Sequence, residues 1–152
     1  MALVPGLASA RDLHAKLQRD AAFLDKEVST DALFNFVVTG YSLIDWIKED
    51  PGVPTVAKTK SEIDALRADK WLKVCGDLAT AAKHFVLTQR KPITSSATSR
   101  RGYSMGGHGK GGYSVGEESI EVSLNDGTHF SALELVAGVL DTWQSFFAKH
   151  GI

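Results

Sequence analysis

The chain has 152 residues, 43% hydrophobic and 23% charged, the size and composition of one soluble domain with a core of its own. A formal net charge of −1 excludes a strongly basic whole-surface footprint for nucleic acid, so any anion site must be local. Cys75 is the one cysteine, which excludes an intrachain disulfide and argues against a thiolate zinc site.

No stretch of the sequence is apolar over a membrane-spanning length. Residues 1–9 contain no basic run followed by a long apolar one, so no secretory signal is expected and the chain reads as cytoplasmic.

A first amphipathic helix is expected from about Ser9 to Val28. Ser9 and Asp12 have capping-box spacing, and Leu13, Leu17, Leu24 and Val28 recur at helical spacing. Ser29, Thr30 and Asp31 supply the next cap. The second helix runs from Leu33 through Phe36, Val37, Leu43 and Ile47, and Pro51 stops it, having no amide hydrogen to donate. Apolar positions cover most of its circumference, which predicts the central helix. Asn35, Thr39 and Ser42 form a narrow polar line on it, with Asp45 and Trp46 beside that line.

Gly52 to Thr59 reads as a loop. Ser61 opens a short amphipathic stretch with Ile63 and Leu66, which the pattern allows to continue into the next helix, roughly Trp71 to Leu87. On a helical wheel Trp71, Cys75, Leu78, Ala82 and Phe85 fall together as a core-facing stripe, with Lys73, Asp77, Thr80 and His84 opposite. Two readings of this helix stand side by side. Cys75 is a small buried hydrophobe or a nucleophile. The polar side is a solvated face, or it makes His84 a general acid/base, since imidazole titrates nearest neutrality.

From Arg90 to Gly116 there is no Asp or Glu, and glycine crowds the run "RRGYSMGGHGKGGYSVG". Residues 90–116 therefore read as a flexible basic loop within the single domain. Arg100, Arg101, His108 and Lys110, interleaved with Tyr103 and Tyr113, are candidate anion-binding residues, because glycine lets backbone amides approach a phosphate. No P-loop pattern is present, and a surface loop without a ligand is the alternative.

Ile120, Val122 and Leu124 alternate with polar residues, Asn125-Asp126-Gly127 supplies a turn, and Thr128 to Phe130 returns as the second strand of a hairpin. Ser131 and Glu134 then form another capping-box pair. The last helix points Val136, Leu140, Trp143 and Phe147 inward, with Gly151 near its end. His14, His84, His108, His129 and His150 show no ligand spacing, so neither a metal nor a cofactor is expected.

These elements predict a mainly α protein, a four-helix bundle with a small β-hairpin inserted before the last helix. The segments "FNFVVTGYSLIDW" and "WLKVCGDLATAAKHF" resemble the HEPN group of small bacterial proteins and related phage proteins. In that group an Arg and a His, with four to six residues between them on one helix, face a dimer cleft and cleave RNA without metal. The resemblance implies a HEPN-like bundle, a homodimer and an RNA partner within a bacterial or phage conflict system. Of the Arg–His pair only His84 matches; Asp77, Leu78 and Ala79 stand where the Arg would fall.

The expected function is binding of an anionic partner, RNA or a nucleotide. His84 is the candidate acid/base, Asp77 and Asp45 orient it, and Lys83 and the loop cations hold phosphates. The alternative is a non-enzymatic module for a small ligand or a protein partner.

Overall fold

Side-chain caps set most of the helix starts. The computed structural model describes residues 3–84, 90–101 and 118–152. Helix α1 (Ala10–Lys26) begins where the Ser9 hydroxyl accepts the Asp12 amide at 3.1 Å, and α2 (Thr30–Glu49) where Ser29 accepts that of Ala32 at 3.1 Å. A single 3-10 turn, Thr55–Lys58, leads into α3 (Lys60–Ala68). The chain then breaks at Asp69, whose backbone is extended and whose carboxylate accepts the Leu72 amide at 3.0 Å. Asp69 thus ends α3 and caps α4 (Lys70–His84), so the two helices that the pattern allowed to merge are separate. The expected extension to Leu87 lies outside the described residues.

Residues 94–101, expected to belong to a loop, form a strand instead. Strand β1 (Thr94–Arg101) pairs antiparallel with β2 (Glu118–Leu124), and β2 pairs with β3 (His129–Ser131), giving a three-stranded sheet in the order β1-β2-β3. Ala97 lies opposite Val122, and Phe130 flanks Val122 on the other side. Ile120, Val122, Leu124 and Phe130 bury the face turned to the helices. The last helix, α5 (Ala132–His150), opens on a complete capping box between Ser131 and Glu134 and ends on Gly151 in the left-handed region, φ 64°.

The protein is therefore mainly helical with a small antiparallel sheet. Helix α2 packs against every other helix, while α1 and α4 each also touch α5. It is not buried all round, however: Phe34 and Val38 are exposed. The polar line expected along α2 is divided too. Thr39 is buried and bonded to Lys16 and Asp20 of α1, whereas Ser42 faces the other way, toward α4. Trp143 and Phe147 of α5 are buried as expected, joined by Leu135, Val139 and Phe146. No helix among the described residues is long and apolar enough to cross a membrane.

One packed ring makes the core sensitive to pH. His14 stacks on Phe147 with centroids 4.2 Å apart, and its Nε2 is buried with no hydrogen-bond partner among the described residues. Burial lowers its pKa below the ordinary 6.5, because a charged imidazole there would lose its water. The unfolded chain therefore gains a proton as pH falls through about 6.5, while the folded chain resists it, and stability drops on the acid side. Denaturant midpoints measured at pH 7.5 and 5.5 should show this loss. His14→Phe, which keeps a ring on Phe147, should show a smaller one; equal losses would remove His14 as the cause.

Candidate functional site

The wheel expected for α4 is rotated in the folded protein. Leu72, Val74, Cys75, Gly76, Asp77 and Ala79 are buried, whereas Trp71 and Leu78 are only partly so, and Ala82 is exposed. Small residues explain the rotation, since Gly76 and Ala79 carry no apolar bulk to mark a core stripe yet allow close packing. A Cβ on Gly76 would stand 2.5 Å from Cε1 of Tyr41 and 2.7 Å from Nη2 of Arg90.

Cys75 is fully buried, and its thiol donates to the Val37 carbonyl at 3.2 Å. Burial pushes its pKa up, with Arg90 opposing only in part, so no thiolate is available as a nucleophile at neutral pH. Cys75 is a packing residue.

Asp77, expected on the polar side facing solvent, is buried at 2% exposure. Its partner comes from outside the helix. Arg90 Nε donates to Oδ1 at 2.6 Å, while the amides of Ile93 and Thr94 donate to Oδ2 at 2.9 and 3.0 Å. Both carboxylate oxygens are thus engaged in pinning the segment that enters β1. Arg90 also donates to Tyr41 Oη at 3.0 Å and to the Lys73 carbonyl at 2.9 Å. Burial works against its charge, but the bonds to Asp77 and Tyr41 outweigh that and hold its pKa above the ordinary value.

Beside this network, α2 and α4 border a groove of about 450 Å³. Phe34, Val38 and Ala79 supply apolar wall, and Tyr41, Ser42, Asp45, Thr80, Lys83 and His84 supply polar groups. Three of the residues expected from sequence, Asp45, Lys83 and His84, therefore meet at one opening. Asp77 does not line it and reaches it only through Arg90 and Tyr41.

Arg100 lies elsewhere, with Thr98, Ser119 and Glu121 around a hollow of about 180 Å³ at the sheet. Arg101 ends β1, while His108 and Lys110 lie outside the described residues. A larger hollow of about 620 Å³ is bordered by Leu3, Leu7, Trp46 and Pro51, but Asp45, Glu49 and Asp50 give it negative charge unsuited to an anion. Among the described residues no cluster of three or more His, Cys, Asp or Glu could hold a metal ion.

Sequence reasoning missed Tyr41 and Arg90 as site residues. Tyr41 carries a polar tip on an apolar helix, a signal that could have marked it. Arg90 gave none, because its partners are up to 49 residues away. The chain matches no protein-family model, no curated protein and no solved structure.

Asp77→Ala would leave the part-buried Arg90 charge without its carboxylate and two amides without an acceptor. Such a loss is expected to cost roughly 3–5 kcal/mol of unfolding free energy, measured by denaturant titration. A change below about 1 kcal/mol would show that the pair is not a structural pin.

Proposed function

We propose that the chain binds an anionic partner, a nucleotide or a short stretch of RNA, in the groove between α2 and α4. The reading rests on one observation: Lys83 and His84 share a single opening with the apolar side chains of Phe34 and Val38. Its volume falls in the range of small-ligand sites. A phosphate would sit near the two basic side chains, a base would lie on Phe34 and Val38, and Ser42 and Asp45 would meet sugar or base polar groups. Arg100, Arg101, His108 and Lys110 would add cationic contacts along a longer RNA.

Binding is favoured over cleavage, since no arginine accompanies His84 on its helix. In a cleaving version His84 would be the acid/base with Asp45 orienting it, and Asp77 would contribute only by holding Arg90. The contacts linking α1, α2, α4 and α5 in a ring support a HEPN-like four-helix bundle, of the kind found in bacterial and phage conflict systems.

Lys83 and His84 are exposed, so replacing both by Ala should leave stability within about 1 kcal/mol. The same variant should bind AMP or a short RNA about tenfold or more weakly, with a flatter salt dependence. Unchanged affinity, or a wild-type protein that binds neither probe, overturns the reading.

A second reading is favoured by the exposure of Phe34 (48%) and Val38 (36%), one turn apart on α2: this face packs on a second copy. Light scattering should then give twice the chain mass at tens of micromolar, and a monomer mass rejects it.

A further inference from the structure

We infer that Tyr41 is the fixed hydrogen-bond donor of the α2–α4 groove, held by Arg90 so that its hydroxyl proton recognises a phosphate oxygen. The inference rests on the anion-binding reading of that groove and names the atom that would select the phosphate.

A guanidinium only donates, so in the 3.0 Å bond between Arg90 Nη1 and Tyr41 Oη the phenol oxygen is the acceptor. The phenol's own proton must then point elsewhere, and among the described residues no group accepts it. Tyr41 is half-buried and is one of the residues that line the groove, where a bound oxygen could accept that proton. Accepting a charged hydrogen bond polarises the O–H and makes it a better donor.

The ring has little freedom. Arg90 packs over it at 5.3 Å from the centroid, and Gly76 lies so close that a Cβ there would fall 2.5 Å from Cε1. Arg90 is fixed in turn, through Nε to Asp77 at 2.6 Å and through Nη2 to the Lys73 carbonyl at 2.9 Å. A donor oriented before binding costs little to order, and it favours an acceptor carrying negative charge. Together with Lys83 and His84 at the same opening, this selects a phosphate monoester such as AMP over the uncharged nucleoside.

Tyr41→Phe keeps the ring and removes only the hydroxyl. Titration calorimetry should show AMP affinity falling about tenfold or more, with adenosine affinity changing less than about twofold, as expected for one hydrogen bond to a charged group. Arg90→Lys keeps a charge for Asp77 but not the planar fork, and should likewise lose the preference for AMP over adenosine. Retention of that preference removes Arg90 from the positioning role.

Should Tyr41→Phe fail to fold, wild-type protein labelled at tyrosine Cζ supplies the second measurement. The Tyr41 signal should move on adding AMP and stay in place on adding adenosine; a signal unmoved by bound AMP overturns the inference. Full AMP affinity in Tyr41→Phe, with a loss in the Lys83/His84 double variant, overturns the Tyr41 assignment and leaves the groove reading intact. Wild-type protein that binds no AMP removes both.

Discussion

The packing of this protein depends on a missing methyl group at Gly40. A Cβ there would stand 3.1 Å from Sγ of Cys75, 3.3 Å from Cγ1 of Val139 and 3.4 Å from Cδ1 of Leu17, one atom each from α4, α5 and α1. Three helices thus converge on one residue of α2, and its neighbours are chosen to suit. Cys75 is small enough to fit and gives its thiol hydrogen to Val37, while Trp143 donates its ring N–H to the Gly40 carbonyl at 3.0 Å. Each buried polar atom at the crossing has a partner, which a close approach of backbones demands. The spacing of α2 from α4, and so the width of the groove between them, follows from this contact.

A second close approach, at the very next residue of α2 and of α4, joins helices to sheet. Gly76 lets Tyr41 and Arg90 lie against α4, and Arg90 brings Asp77 the countercharge that its burial requires. Because Asp77 also accepts two amides just before and within β1, a single carboxylate sets where the sheet begins relative to the helices. The groove and the sheet therefore share one support. Structure and candidate chemistry meet at Tyr41, whose hydroxyl is held by Arg90 of that support and whose side chain also lines the groove.

What could be read from sequence was local. Ser9, Ser29 and Ser131 act within three residues of themselves, Pro51 acts on its own neighbours, and Asn125-Asp126-Gly127 closes the β2–β3 turn as its composition demands. Asp45 and His84 were legible as candidates from their places beside or on the polar line of their own helices, and Lys83 as a cation next to His84. The failures are non-local. No periodicity shows that Asp77 will meet Arg90, or that Thr39 will turn to Lys16 and Asp20, since those partners come from other elements. Strand β1 hid for another reason. Its sequence, TSSATSRR, has no alternating apolar face, because among the described residues it is the outer strand of the sheet, with most of its side chains exposed.

That composition has a consequence for solubility. An edge strand offers a row of unsatisfied amides and carbonyls to any other chain, and a flat apolar edge invites runaway sheet growth. Strand β1 presents serine, threonine and arginine, and its register is interrupted between Thr94 and Ser96. A hydrated, cationic, irregular edge is a poor template for cross-β stacking. Among the described residues, the outer edge of the sheet therefore has a composition that disfavours seeding aggregation beside the helices.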